Sequence, residues 1–323
     1  MTSRLRRLRV SATLRDMLAE VRLSRQDLVA PIFVRPGEGS NEIPTMPGQF
    51  QHSHDSAMDT LRHWSDSGIP AVLLFGIPPR KDPTGSMAWD ESAPVQRLVR
   101  AIKRELPSLC VITDVCLCEY TDHGHCGVLE TSADGKTSVD NDATVELLAK
   151  TAVSHARAGA DIVAPSAMMD NQVSAIRRAL DEAGHTDTAI LSYAVKFASS
   201  LYGPFRQVAE NAPAHGDRRT YQMDYRSPRQ AILESSADAA QGADMLMVKP
   251  AGTCLDVIAE IRRRFDLPLA AYHVSGEYAA IKFAAMAGAI DEKAAVCEIT
   301  TAIKRAGADI VITYYAQSLA SWL

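Results

Sequence analysis

The chain lacks any apolar run approaching the roughly 20 residues of a membrane-spanning helix, which argues against a span. It also lacks a secretory h-region. The basic start (Arg4, Arg6, Arg7, Arg9) runs into Ser-Ala-Thr-Leu-Arg-Asp-Met-Leu-Ala-Glu, which is charged rather than apolar. A cytoplasmic protein with reduced cysteines is the expectation, and no membrane is expected as a partner. There is no excess of positive charge: 34 Lys and Arg against 39 Asp and Glu leave a formal charge of -5, so nucleic acid is not an expected partner. Aromatic residues are few, at 6%, and cysteine is sparse, six in 323 residues. What is there is 46% apolar and 23% charged, the make-up of a globular protein large enough for one big α/β domain or two smaller ones.

The few cysteines are unevenly spread. Three fall in Asp114-Val-Cys116-Leu-Cys118-Glu-Tyr-Thr-Asp-His123-Gly-His125-Cys126-Gly127. Thiolates at that density form disulfides or bind a soft or borderline metal, most often zinc. Cys116 and Cys118 bracket a single residue, too tight for an easy disulfide. A structural zinc site closes with four protein ligands, and His123 or His125 would be the fourth in that reading. Three thiolates alone leave a tetrahedral position for water or substrate, which is the catalytic arrangement and the reading preferred here.

Eight short apolar segments recur, at 28–34, 71–77, 109–115, 161–165, 189–195, 245–248, 269–274 and 309–315. Most are continuous and β-branched, as strands buried on both faces of a parallel sheet are. Helical spacing lies between them. Val95, Leu98, Val99 and Ile102 follow a Ser92 cap and Pro94; Val145, Leu148, Ala149 and Ala152 follow Asn141-Asp142; Cys254, Val257, Ile258 and Ile261 repeat the pattern. Gly159, Gly242 and Gly307 stand where helices give way to strands and suit left-handed caps. Eight strands alternating with helices predict an α/β fold, a (β/α)₈ TIM barrel over residues 28–323, with an open doubly wound sheet as the alternative. Residues 1–27 do not fit the barrel and lack a core. They read as an extended N-terminal arm for subunit contacts, so a homo-oligomer is expected.

Chemistry in such a barrel sits at the C-terminal ends of the strands. There the fifth segment ends at Lys196 and the sixth, Met245-Leu-Met-Val, at Lys249. A buried lysine is costly unless paired or used, and a carboxylate such as Asp114 or Asp170 would be the plain partner. Burial beside a second ammonium instead frees some neutral amine near pH 7, able to attack a ketone. Parallel neighbours lie about 4.8 Å apart, close enough for Lys196 and Lys249 to act on each other. Further on, Leu201-Tyr202-Gly-Pro-Phe205-Arg206 and Asp217-Arg218-Arg219-Thr-Tyr-Gln222 combine guanidinium forks for carboxylates with the Gly, Pro and aromatic residues of a lid. Alone, Arg218-Arg219 would read as a solvated basic surface.

These segments, 114–127, 192–206, 245–250, 271–277 and 306–315, resemble the porphobilinogen synthase (δ-aminolevulinate dehydratase) family over most of the chain. The resemblance implies a homo-octamer that condenses two 5-aminolevulinate molecules to porphobilinogen, losing two waters, in tetrapyrrole (haem) synthesis. It implies Lys249 and Lys196 as Schiff-base lysines, Cys116, Cys118 and Cys126 as ligands of the zinc-dependent type, and Asp114 as an aid to proton transfer. Ser275 and Tyr314 resemble the pair holding one substrate carboxylate; Arg206, Arg218 and Gln222 resemble the group holding the other, with Tyr202 and Phe205 in the lid. Glu234 resembles the carboxylate of an allosteric magnesium. The chain departs from many relatives at Ala167 and Asn171 and in a longer loop over 132–138. A generic class I aldolase would leave the three cysteines and the second lysine without purpose; a structural zinc protein would perform no carbonyl chemistry at Lys249.

Overall fold

The computed structural model describes residues 3–133 and 135–323; residues 1, 2 and 134 lie outside it, and with them part of the arm and one position of the 132–138 loop. Eight parallel strands carry the fold: β1 (Leu28–Val34), β2 (Ala71–Gly76), β3 (Cys110–Val115), β4 (Ile162–Pro165), β5 (Ala189–Lys196), β6 (Met245–Lys249), β7 (Leu269–His273) and β8 (Ile310–Thr313). Each pairs with the next, and β8 pairs back onto β1 at Leu28↔Val311 and Val29↔Ile312, closing the sheet. Closure decides between the two expected folds: this is the TIM barrel, not an open sheet. The strand side chains are buried almost without interruption, which explains the continuous apolar runs.

Helices Pro94–Glu105, Asn141–Ala158 and Leu255–Arg264 occupy the predicted spans. Gly159, Gly242 and Gly307 all have positive φ where the chain turns into the next strand. One cap is corrected. Ser92 does not cap helix 94–105, whose N-cap is Ala93. The Ser92 backbone N–H and hydroxyl both donate to the Asp90 carboxylate, so its oxygen is spent in the preceding turn.

Among residues 3–27, the described part of the expected arm, no side chain is buried. Its short helix Ala12–Met17 is capped by Ser11 and buries nothing; Leu5, Leu8, Val10, Met17 and Leu18 are exposed. Residues 24–27 moor it, through Arg25 to the Ala320 carbonyl and Asp27 to Lys304. Over 132–138 the described residues close a two-stranded antiparallel hairpin, Leu129–Thr131 against Thr137–Val139. No helix among the described residues is long and apolar enough to cross a membrane.

Candidate active site

The β5–β6 ladder places Lys196 and Lys249 directly opposite one another at the strands' C-terminal ends. Both are buried. Lys249 Nζ lies 4.3 Å from the centroid of the Tyr272 ring, 5.1 Å from Tyr202, 5.2 Å from Tyr193 and 5.3 Å from Phe205. A chain poor in aromatics has therefore concentrated them around one amine. Burial in that cage, then the charge of Lys196, pulls the Lys249 ammonium down to about 7, with Asp114, Glu119 and Cys118 pulling the other way. At that value roughly half the amine is free near pH 7, against roughly one part in three thousand for an ordinary lysine. For Lys196 burial also disfavours the ammonium, but the charges of Cys126, Cys116 and Asp114 outweigh it and the pKa rises. The two amines thus differ. Lys196 Nζ donates to the Ser166 carbonyl at 2.5 Å, and among the described residues neither lysine makes a carboxylate ion pair. Asp170, considered as a partner, is exposed and lines a different cavity.

Asp114, next to last in β3, lines the same small cavity as both lysines. Its carboxyl is pushed up to about 7 by burial and by Glu119, against the pull of both lysines, and it accepts from the Ser166 hydroxyl at 3.1 Å. A group poised near neutrality suits proton transfer.

Cys116, Cys118 and Cys126 come together just beyond Asp114, all buried, with their sulfurs within 4.8 Å of one another. Cys116 and Cys118 sulfurs are 3.4 Å apart, and all six cysteines are free thiols. A tetrahedral ion with Zn–S bonds of about 2.3 Å sets its sulfurs about 3.8 Å apart, so the trio fits such an ion. Hydrogen bonds from Cys116 and Cys118 hold the Cys126 thiol well below its ordinary pKa, while burial pushes Cys116 and Cys118 up. The fourth-ligand role weighed for the histidines finds no support. The His125 ring meets the Tyr221 hydroxyl and the His215 carbonyl, and His123 meets the Pro83 carbonyl. A second donor group, Asp114, Cys116 and Glu119, overlaps the first.

Above the lysines, the Tyr202 hydroxyl donates to the Lys249 carbonyl, and Phe205 packs on Phe75. Together with Asp114, Cys118, Glu119, Lys196 and Arg218 they enclose a cavity of about 10 Å³ next to Lys249, room for one water. The Ser275 hydroxyl accepts from Phe205 N and donates to the Leu201 carbonyl, tying the start of this cover to the end of β7. Tyr272 donates to the Tyr314 hydroxyl, whose own proton is left for another acceptor. Tyr314 is linked through Tyr272 to the lysine cage. Outward of the cover lies a cavity of about 760 Å³ lined in part by Arg206, Arg218 and Gln222. Burial and the Arg218 charge both depress the Arg206 pKa. Nε of Arg206, Nε of Arg218 and both amide atoms of Gln222 are buried without a hydrogen-bond partner. Arg219 instead is exposed and faces Asp217, the plain surface reading for that residue alone. Glu234 is half-buried across a 480 Å³ cavity from Asp170; burial, then Asp238 and Asp170, raise its pKa. Ala167 is buried, and Asn171 sits at φ 65°, a left-handed position that an asparagine accepts.

Three participants escaped the sequence reading of roles: Glu119, Ser166 and Asn211. Glu119 is buried against Cys118, with oxygen and sulfur 3.3 Å apart. Asn211 Nδ2 donates to the same sulfur at 3.1 Å from 93 residues away. Only the position of Glu119, next to Cys118, was a usable signal.

A sequence model of the family described as delta-aminolevulinic acid dehydratase matches residues 2–322. The chain is 52% identical to the delta-aminolevulinic acid dehydratase of Synechococcus elongatus over all of this chain and 99% of that one. It is also 52% identical to that of Escherichia coli K12, over 98% and 96% of the two chains. The crystal structure of the Toxoplasma gondii enzyme in complex with its reaction product porphobilinogen superposes with a TM-score of 0.97 at 43% identity, covering all of this chain and 92% of that one. With a closed barrel, paired lysines and a family match of this extent, the chain belongs to the delta-aminolevulinic acid dehydratase (porphobilinogen synthase) family of enzymes in tetrapyrrole synthesis.

Proposed function

We propose that the chain condenses two molecules of 5-aminolevulinate to porphobilinogen with loss of two waters, through Schiff bases on Lys249 and Lys196 and with zinc held by Cys116, Cys118 and Cys126. The observation that carries this reading is the register pairing of Lys249 with Lys196. A neutral Lys249 Nζ forms a C–N bond to a ketone carbon; the carbonyl electron pair moves to oxygen, and that oxygen leaves as water after taking up two protons. Asp114, near neutrality, is suited to move those protons. Lys196 begins as an ammonium and has to shed a proton before it attacks the second ketone. Zinc, when bound, supplies a Lewis acid that holds the second substrate and polarises its carbonyl.

Two carboxylates need two anchors. The unpartnered guanidinium and amide groups of Arg206, Arg218 and Gln222 suit one, and two neighbouring guanidiniums gain from an anion between them. The free phenolic proton of Tyr314, with Ser275, suits the other. Tyr202 and Phe205 exclude water from the forming imine. At the periphery, Glu234 and Asp170 would offer oxygen to an allosteric magnesium, completed by water. The apolar side chains of the arm would be covered in a homo-octamer.

The test is pyrrole formation from 5-aminolevulinate, read by Ehrlich colour in reduced protein with and without a zinc chelator. Colour is expected, lost on chelation and restored by zinc, and Cys118→Ala should lose both zinc and most turnover. Colour indifferent to complete metal removal would demote the cysteines to structure; no colour in zinc-loaded, reduced protein would refute the substrate.

A further inference from the structure

The segment 209–223 touches the cysteine loop through Asn211, Ala214, His215, Arg218 and Tyr221. Asn211, fully buried, donates from Nδ2 to Cys118 Sγ at 3.1 Å and toward Glu119 Oε1 at 3.4 Å. Arg218 Nη2 donates to the carbonyls of Gly124 at 2.8 Å and Asn211 at 2.5 Å. Ala214 N donates to the His123 carbonyl, His125 reaches the His215 carbonyl, and the Tyr221 hydroxyl meets both His125 and Cys126 N. The packing leaves no slack. A Cβ on Gly124 would stand 2.5 Å from the Ala212 carbonyl oxygen, and Gly124 has φ +71° besides, so only glycine fits.

The two ends of the segment are tied elsewhere. Lys81 holds the carbonyls of Ala209 and Glu210. At the far end Met223 N donates to the Lys196 carbonyl, and Ala198 N to the Met223 carbonyl. A strap therefore runs from the mouth of the barrel, across the thiols, to the backbone of Lys196. Of its side chains, Asn211 alone donates to a cysteine sulfur among the described residues. A metal held by the three cysteines would fix the loop to which the strap is fastened, so that ordering either one favours the other.

We infer that Asn211 is a positioning residue that latches the 209–223 segment to the cysteine loop, so that metal occupancy and closure of the segment over the two lysines are coupled. This rests on the metal reading above. The coupling runs both ways: what metal adds to closure, closure adds to metal affinity by the same factor. Asn211 acts through Cys118 and touches no reacting atom.

The test is hydrogen exchange of the full-length reduced protein, zinc-loaded and after chelation, for the native chain and Asn211→Ala, with zinc per chain counted by metal analysis and zinc affinity measured against a chromogenic chelator. In the native protein, amides of 211–223 are expected to exchange at least about tenfold faster after chelation, while helix Glu292–Ala306 stays unchanged. In Asn211→Ala the segment should exchange fast with or without zinc, and zinc affinity should fall about tenfold, the usual effect of losing a partner to a metal ligand. Should Asn211→Ala not fold, Asn211→Asp, equal in size but without the N–H, is expected to give the same two changes. Zinc-independent exchange of 211–223 in the native protein would overturn the latch. So would retention of zinc affinity and zinc-dependent protection in the variants, or acceleration of the whole barrel on chelation. A count of no zinc per loaded chain would instead fail the metal reading itself.

Discussion

At the scale of single residues, the chemistry turns on why Lys249 differs from Lys196. Burial is common to both; the sign of the neighbouring charge is not. Lys249 sits among neutral rings with the charge of Lys196 opposing its own, whereas Lys196 faces the thiols and Asp114. The depressed value makes the amine reactive above about 7 and an inert ammonium below it. Imine formation at Lys249 should therefore rise with pH through about 7 and level off above, read as the rate of borohydride trapping against pH. Lys196→Met removes the opposing charge, so the midpoint of that profile should move to higher pH; an unmoved midpoint would show that burial alone sets it. Both lysines were legible as polar residues closing apolar strands. Glu119, Ser166 and Asn211 were not legible in their roles, because burial of a Glu, Ser or Asn leaves no mark on linear order. Their partners lie in other strands and loops, Asn211 meeting a cysteine from the far side of β5.

Among elements, the strands were the most legible. A strand covered on both faces has to be apolar throughout, and each observed strand lies within two residues of its expected run at either end, as in Leu28–Val34 and Met245–Lys249. Helix starts were less so: Ser92 was a sound capping residue, but Asp90, two residues earlier, competes for its hydrogen bonds, and no single-residue propensity resolves that contest. The cover over the site was recognisable by its Gly, Pro, aromatic and Arg content, yet its fastening to the cysteine loop was not. Its arginines make a prediction at this scale. Among the described residues Arg206 has only a long contact to the Ser199 carbonyl at 3.5 Å, which leaves its fork for a carboxylate. Arg206→Lys keeps the charge and loses the fork. A rise of about tenfold in apparent KM with a smaller change in kcat is expected in steady-state kinetics, the cost of one charge-assisted hydrogen bond. An unchanged KM would place the substrate carboxylate elsewhere.

For the whole molecule, barrel closure brings the ends of β3, β5, β6 and β7 to one mouth, so that residues from Asp114 to Ser275 share a site. The arm is the complementary case. Leu5, Leu8, Val10, Met17 and Leu18 stand in solvent, and the proposed assembly would cover them. Deleting residues 1–22, while keeping the Ser24–Asp27 mooring, should leave a folded barrel that assembles into smaller particles, measured by light scattering coupled to size exclusion. Particles of unchanged mass would remove the arm from assembly. The most direct measurement of the chemistry is borohydride reduction with 5-aminolevulinate, mapped by peptide mass spectrometry. The expected result is a reduced imine adduct on Lys249, absent in Lys249→Met, whose turnover should fall by at least about a thousandfold. Native, zinc-loaded protein that forms pyrrole without any adduct at Lys249, or a Lys249→Met variant with full turnover, would contradict it.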